Sequence, residues 1–391
     1  MNKVKGVIRN SLCLSVFVVC CLFSAVGQAA GSMPIVSWAG SIFVSDAFNH
    51  ELLDSAGKER IQRALTSRLQ ELNRRGELPF ILEEGTNLDH LTTRQGEETG
   101  ADIGIIPVVT LGTSFDVAYH LWEDDLYRSD VFAGLSVMLC TIDDNGDGKR
   151  TIKPLGIVPL YGREQNKSNN AITLAEKKEA FVSTMERLIS QNLEFASQRN
   201  IKKNLSEKRI NFAETWQVSK TSISSQRARD AIGGAPNPTT KKRVNSAELR
   251  KLRSVMAHAY TSIFQKNTKN IVLLPGDNNI KLTDSIGDAL RADSADSTVF
   301  TLERPEPSHT IELDLYSVAT GVLTIAKGRV EKPFQAYQVW LRTTTDGKAT
   351  EYTDKELMPY LESRNVNMDV ADGTMYKSLA LKLVMENGAK K

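Results

Sequence analysis

Acidic and amide side chains at alternate positions form the strongest candidate metal site in the sequence. Asp143, Asn145 and Asp147, followed by Gly148, match the start of a calcium-binding loop, in which such oxygen ligands converge on a hard cation. The twelfth position of that loop needs a bidentate acidic side chain, but this chain has Pro154 there. Two interpretations follow: a metal site at Asp143, Asn145 and Asp147, or a polar hairpin loop, which the missing ligand favours.

A second chemically distinctive segment combines aromatic and acidic side chains between two predicted strands. His120, Glu123 and Asp125 lie close enough in sequence to offer nitrogen and oxygen ligands to a transition metal, although acidic residues also solvate a chain reversal. Exposed aromatic residues near a hairpin end can anchor partners, unless they pack back onto the sheet. We predict a partner-binding site here, made of Trp122, Asp124, Asp125 and Tyr127.

Signatures of common enzymes are missing from the sequence. No Gly-x-Ser-x-Gly elbow, Walker A loop, His-Glu-x-x-His helix or Gly-x-Gly-x-x-Gly fingerprint occurs. A catalytic site would have to be assembled from residues that lie far apart in the chain. The sequence therefore predicts a protein that is not an enzyme and needs no cofactor.

The amino terminus has the three parts of a secretory signal peptide. Lys3, Lys5 and Arg9 form a basic start, Leu12–Phe23 is apolar, and small residues around position 29 offer a cleavage site. The apolar stretch is shorter than the roughly 20 residues of a membrane-spanning helix. We therefore predict that residues 1–29 are removed and that the protein is periplasmic or secreted, with no transmembrane span.

Export also changes the charge and the cysteine content of the chain. The sequence has 49 basic and 47 acidic residues, and the predicted signal peptide carries three basic residues and no acidic ones. The mature chain is then nearly neutral, which argues against general nucleic-acid binding. Of the four cysteines only Cys140 remains, so no intramolecular disulfide can form and Cys140 is expected to be an inert strand residue.

Hydrophobic periodicity predicts an α+β unit in residues 32–198. Ile61, Leu65, Leu69 and Leu72 recur at helical spacing before Gly76, and Thr173 with Glu176 forms a capping box at the start of a second helix. Alternating residues between these helices predict long strands, two of them joined by the Asp-Gly loop. The predicted order is β-α-β-β-β-α.

Residues 245–391 repeat this pattern. The run 334–343 aligns with 132–141 at a constant offset, with Phe, Val, Leu and Thr in common, and both runs lead to an Asp-Gly-Lys loop. We therefore predict an α+β fold of two tandem diverged units, each with helices packed on a mainly antiparallel sheet.

The segment 199–244 differs in composition from both units. Between Arg199 and Asn245 there are eleven basic and three acidic residues, with glycines and prolines near the end. Such a segment is typical of an exposed linker, so we predict a basic linker at 199–244. Peripheral contact with an anionic membrane through this linker is the alternative.

The exported β-α-β-β-β-α pattern resembles the periplasmic α+β domain of the curli secretion channel CsgG. It is also similar to the amino-terminal domain of TolB and to the lipoprotein activators of penicillin-binding proteins. Three segments carry the resemblance: the helix Glu59 to Leu72 before Leu78 to Leu82, the run Ala101 to Gly104, and Val339 to Thr343 with its Asp346-Gly347 turn. The resemblance implies a non-enzymatic component of envelope assemblies that works through protein contacts.

We therefore predict an exported envelope protein that acts by protein–protein interaction, as a component or accessory factor of a periplasmic or outer-membrane-associated assembly. Self-association into a homo-oligomer is part of this prediction. The alternative is a small-ligand-binding protein or enzyme, whose site lies in the cleft between the two repeats.

Overall fold

The structure, a computed structural model, covers parts of both predicted units. The predicted signal peptide, residues 1–29, lies outside the described residues, as do Trp122, Asn145 and Asp147. The described residues are 35–38, 43–44, 50–82, 103–121, 124–144, 149–195, 201, 204–205, 215–233, 246–268, 271–273, 275, 299–303, 306–327, 330–359 and 368–388.

The first unit is built from three long strands, several short ones and two long helices. A short 3-10 turn, His50–Leu52, precedes the first helix. The elements are β1 Ile35–Trp38, β2 Phe43–Val44, α1 Ser55–Arg74, β3 Ile81–Leu82, β4 Ile103–Leu121, β5 Asp124–Asp144, β6 Lys149–Ser168 and α2 Leu174–Asn192.

The second half of the chain follows the same plan, with one extra short helix and one extra strand. Its elements are β7 Thr215–Ser222, α3 Gln226–Gly233, α4 Ser246–Asn267, β8 Ile271–Val272, β9 Val299–Leu302, β10 His309–Lys327, β11 Val330–Thr345, β12 Lys348–Pro359 and α5 Met368–Gly388. The extra strand, β9, pairs in the first sheet.

The two sheets have the same strand order. The first runs β3-β1-β4-β5-β6, and the second runs β8-β7-β10-β11-β12. In each sheet the three long strands pair antiparallel and the short strands pair parallel. The chain adds β2 beside β4, and β9 beside β6 in the first sheet. The fold is therefore α+β, with helices on mainly antiparallel sheets.

Strand register also matches between the sheets. Leu139 lies opposite Ile105 on the neighbouring strand, and Leu341 lies opposite Leu315 in the second sheet. The second of the two predicted Asp-Gly turns is present, because Thr345 pairs with Lys348 around a two-residue loop in which both φ angles are positive. Leu139 and Leu341 thus occupy equivalent positions in the two sheets.

Local sequence explains why α1 forms where it does. The carboxylate of Asp54 accepts a hydrogen bond from the Gly57 N–H at 3.0 Å, which caps the first turn. Ile61, Leu65 and the other predicted stripe residues are buried. Gly76, with a φ of 67°, ends the helix in a left-handed conformation that favours glycine.

The capping box of α2 is present as predicted. The Glu176 N–H donates to Thr173 Oγ1 at 3.3 Å, and the Thr173 N–H donates to the Glu176 carboxylate at 2.7 Å. Thr173→Ala should lower the free energy of unfolding by about 1 kcal/mol, because the first turn loses its side-chain acceptor. Thr173→Ser, which keeps the acceptor, should stay close to the wild-type value in urea denaturation; equal losses in both variants would contradict a capping role.

The predicted linker boundary is wrong for part of its length. Residues 199–244 contain β7 and α3, and β7 is a central strand of the second sheet between β10 and β8. The strand was missed because several of its buried residues are polar, among them Thr215, Gln217 and Thr221. The second unit therefore includes Thr215, and membrane contact through the basic linker stays a prediction only for the residues outside β7 and α3.

Helices and sheets alternate in four layers. Helices α1 and α2 cover one face of the first sheet, in a core that includes Ile61, Phe181 and Leu139. Helices α4 and α5 lie between the sheets: one core joins Phe132 of the first sheet to Leu341 of the second. Since α4 and α5 contact sheets on two sides, they are buried around most of their circumference.

Candidate functional site

The face of the first sheet that α4 and α5 cover is apolar and closed. Phe132 and Tyr161 belong to the core between the sheets, and Met138 and Cys140 are 1% and 0% exposed. Burial raises the pKa of the Cys140 thiol to about 12. The thiol is therefore protonated and shielded at neutral pH, as an unreactive structural cysteine is.

A buried ion network crosses from the first sheet to the second unit. The Asp130 carboxylate, 1% exposed, lies 2.8 Å from Arg128 and 2.9 Å from Arg163, and it accepts a hydrogen bond from Gln165 at 3.0 Å. Arg128 also donates to the Ser378 hydroxyl of α5 at 3.2 Å. Burial alone would raise the pKa of Asp130, but the charges of Arg163 and Arg128 outweigh it and lower that pKa.

The corresponding face of the second sheet is open. Matching registers place three pairs of residues at equivalent positions: Met138 with Trp340, Cys140 with Arg342, and Tyr161 with Leu357. The first member of each pair is buried, whereas Leu357 is 40% exposed and the Arg342 side chain 41% exposed. We call this surface the open sheet face, defined by Tyr316, Leu323, Trp340, Arg342, Glu351 and Leu357.

Arg342 holds together the polar centre of the open sheet face. Its guanidinium carbon lies 4.6 Å from the ring centroid of Tyr316, and its Nη2 lies 2.8 Å from the Glu351 carboxylate. The Tyr316 hydroxyl donates to the same carboxylate at 2.9 Å. The hydrogen bonds from Arg342 and Tyr316 lower the pKa of Glu351, so the carboxylate stays ionised. Fixed aromatic and arginine side chains of this kind are enriched in protein interfaces.

One end of the open sheet face is apolar. Leu323 and Leu357 are 38% and 40% exposed, and Val322 on the opposite side of the same hairpin is 54% exposed. These are three of the five large hydrophobic side chains that are exposed in the described parts of the chain. Leu323 and Leu357 share one face of the sheet, and exposed apolar side chains grouped on one face are typical of a surface that another molecule covers.

The predicted partner site at the first hairpin tip is only partly described. Asp124 and Asp125 begin β5, and their backbones pair with Leu121 and His120 of β4, so the chain reverses where predicted. Trp122 lies outside the described residues. Tyr127 is half-buried and lies opposite Ala118 and Ser168. A binding role for Trp122, Asp124, Asp125 and Tyr127 stays a prediction.

The predicted metal site is described at only one of its three residues. The Asp143 carboxylate lies 2.6 Å from the Lys153 ammonium, so its side chain already binds a cationic group. Asn145 and Asp147 lie outside the described residues. No group of three or more His, Cys, Asp or Glu residues suited to a metal ion occurs within the described ranges.

A second charged surface lies at the opposite end of the layer stack, between α1 and α2. A groove of about 920 Å³ runs between these helices, and we call it the arginine groove. Arg60 crosses it and binds Glu179 and Glu186 at 2.6 and 2.8 Å. Its charged lining consists of Arg60, Arg63, Arg68, Arg74, Arg187, Glu71 and Glu186.

The sequence does contain a signal for the open sheet face. The aligned repeats place Trp340 and Arg342 where the first copy has Met138 and Cys140. At equivalent outward positions, small or flexible apolar residues in one copy and a pair that includes a charged arginine in the other indicate one covered face and one exposed face. This comparison needs the outward direction of each strand, which only the sheet registers supply.

Comparisons with known proteins add little. No family model matches the sequence, and no curated protein matches it. Among solved structures, the hypothetical protein CT253 from Chlamydia trachomatis is similar over 34% of this chain and 73% of its own, with 10% sequence identity and a TM-score of 0.22. A likeness at that level carries no functional argument. In the described parts of the chain, every helix is too short or too polar to cross a membrane.

Proposed function

We propose that this protein is an exported, non-enzymatic component of a cell-envelope assembly, and that the open sheet face binds its protein partner. One observation carries the proposal: Met138 and Tyr161 of the first sheet are buried, Tyr161 in the core that α4 and α5 share, whereas the equivalent Trp340 and Leu357 of the second sheet remain half-buried or exposed. A partner that supplies a helical layer fits this face, because α4 and α5 supply such a layer to the first sheet.

The composition of the open sheet face supports a protein partner. Tyr, Trp and Arg are enriched at the centres of interfaces, and Trp340, Tyr316 and Arg342 lie together on this surface. The exposed Leu323 and Leu357 extend the patch towards one end. The partner surface expected here is an amphipathic helix pair with apolar and charged side chains.

An envelope location is supported by the sequence of the amino terminus. Lys3, Lys5 and Arg9, the apolar run Leu12–Phe23 and the small residues that follow have the layout of a signal peptide. The resemblance to envelope proteins of the CsgG and TolB type agrees with that location. We place the mature protein in the periplasm or outside the cell.

A ligand site in a cleft between the repeats has less support. The contact between the units is occupied by the apolar core around Phe132 and Leu341 and by the Asp130 network. Ligand pockets need accessible volume and converging polar groups, whereas this contact is closed by packed side chains. Protein interaction is therefore the function proposed.

A photo-crosslinking amino acid at position 340 tests the proposal in envelope fractions. It should form a covalent product with a specific envelope protein, and the same probe at Glu303, an exposed residue beside the first sheet, should not. Trp340→Ala should weaken recovery of that partner about tenfold or more, as truncation of a central aromatic residue does. A probe at Tyr127 tests the predicted tip site in the same preparation.

Glu356→Ala is the matched control for Trp340→Ala. Glu356 is exposed on the neighbouring strand β12 and pairs with Tyr337, so it lies on the face of the sheet opposite to Trp340 and its loss should leave partner binding unchanged. Thermal melts should show that both variants remain folded. Identical crosslinking from positions 340 and 303, or full partner recovery by folded Trp340→Ala, would remove the open sheet face as the binding surface.

A further inference from the structure

We infer that a second copy of this chain covers the open sheet face, through the outer surface of its α1 and α2, so that the layer stack continues from copy to copy. The inference rests on the proposed function of the open sheet face, and it names the partner. Its basis is the contact between the first and second units of one chain, which also joins a helix pair to the outer face of a sheet.

The contact between the two units joins two different surfaces, the helix pair of the second unit and the sheet of the first. Helices α4 and α5 of the second unit lie on the first sheet, where Ser262 of α4 donates to the Pro159 carbonyl at 3.1 Å. By their position in the repeat, α1 and α2 are the counterparts of α4 and α5. Among the described residues, two surfaces are therefore left uncovered: the outer side of the helix pair α1 and α2, and the outer side of the second sheet. The internal contact joins surfaces of these same two kinds.

Repeating the internal contact between copies makes a heterologous interface. The helix pair of one copy would cover the sheet of the next, and each copy would still present one free surface of each kind. Contacts of this type generate closed rings or open stacks of more than two subunits. A two-fold dimer, in which both copies use the same surface, is not expected.

Both uncovered surfaces carry side chains suited to the contact. Leu323 and Leu357 are exposed on the open sheet face. The arginine groove offers Arg63 and Arg74, and the open sheet face offers the rings of Trp340 and Tyr316. Guanidinium groups bind aromatic faces favourably.

The internal contact already uses a cation over an aromatic ring. Lys377 of α5 lies 4.5 Å from the ring centroid of Phe115 in the first sheet, and its ammonium is 2.7 Å from Glu248 of α4. The contact between copies would place arginines of α1 near the rings of the open sheet face. The kind of interaction is the same, but the arginines lie on α1, the counterpart of α4, whereas Lys377 lies on α5.

The contact between copies should be weaker than the internal one. Trp340 and Arg342 replace the buried Met138 and Cys140, and the outer side of α1 is charged where α4 is buried. Polar outer faces keep the terminal layers of a stacked protein soluble. The assembly is therefore reversible, and it should weaken as salt screens the arginines.

Two complementary variants test the inference in sedimentation velocity experiments on the mature chain. The helix variant, Arg63→Glu with Arg74→Glu, loses the helix surface, and the sheet variant, Trp340→Ala with Leu357→Asp, loses the open sheet face. Wild type should form species larger than dimers as its concentration rises towards about 100 µM. Each variant alone should associate at least about tenfold more weakly.

An equimolar mixture of the two variants gives the sharpest result. One intact helix surface and one intact sheet surface remain, so the mixture should form heterodimers and stop there. Raising the salt concentration from about 50 to about 500 mM should dissociate wild type and mixture alike. Thermal melts establish that each variant is folded, since all four altered side chains are exposed or half-buried.

Three results would overturn the inference. In the first, wild type stays monomeric at every concentration. In the second, wild type forms dimers and nothing larger. In the third, the mixture of the two variants remains monomeric while wild type assembles. If the probe at position 340 captures a different envelope protein while wild type is monomeric, the self-stacking inference fails and the proposed function stands. If the probe captures nothing in envelope fractions and wild type is monomeric, both fail.

Discussion

Asp130→Asn should lower the free energy of unfolding by about 3–5 kcal/mol at pH 7, because it removes one side of a buried ion network. The side chain is 1% exposed and lies between Arg128 and Arg163, whose own side chains are 16% and 23% exposed. Asparagine has nearly the same shape, so the variant changes the charge and creates no cavity. Two partly buried guanidinium groups would be left without their shared carboxylate.

Asp143→Asn is the matched control for this substitution. Asp143 lies on the same strand and also forms an ion pair, with Lys153 at 2.6 Å, but both side chains are more than 40% exposed. Exposed pairs contribute little, so urea denaturation should show a loss below about 1 kcal/mol. Similar losses in the two variants would mean that the Asp130 network is no more stabilising than a surface pair.

The effect of Asp130 should depend on pH in a defined direction. Because its pKa is lowered in the folded protein, the carboxylate contributes stability above its unfolded pKa of about 3.9. That contribution is lost as pH falls through the lower folded pKa. The stability difference between wild type and Asp130→Asn should therefore be largest near neutral pH and shrink below about pH 4. A difference that grows towards low pH would contradict this assignment.

Local features of the fold could be predicted from sequence because neighbouring residues determine them. The helical stripe of Ile61 and Leu65, the Thr173 capping box and the Asp346-Gly347 turn all depend on residues a few positions apart. Each was predicted and each is present. Strand β7 was missed because its buried positions include Thr215 and Gln217, so hydrophobic alternation is weak there.

The layer stack and the open sheet face could not be predicted in the same way. Asp130 and Ser378 are 248 residues apart and meet only because α5 lies on the first sheet. Leu139 and Leu341 look equivalent in sequence and are equivalent in structure. Their outward neighbours differ in exposure: Cys140 is buried, whereas the Arg342 side chain is 41% exposed. Which outward face is covered depends on how one unit packs on the other, and strand patterns do not contain that information.

Leu139→Ala and Leu341→Ala should each lower the free energy of unfolding by about 2–5 kcal/mol, since each leaves a cavity in a closed core. Both side chains are 0% exposed. Leu139 packs in the core that α1 and α2 form on the first sheet, and Leu341 packs in the core that contains α4 and α5. The repeat alignment predicted that both leucines face helices, and these cores place them so.

The two leucines lie in different cores, so their effects should be nearly additive. Chemical denaturation of the double variant should give the sum of the single losses within about 0.5 kcal/mol, provided that unfolding remains a single transition. Leu357→Ala is the control, because Leu357 is 40% exposed on the open sheet face and its truncation should cost less than about 1 kcal/mol. A loss at Leu357 as large as that at Leu341 would show that the open sheet face is covered in the isolated chain, and the contrast between the two sheets would then disappear.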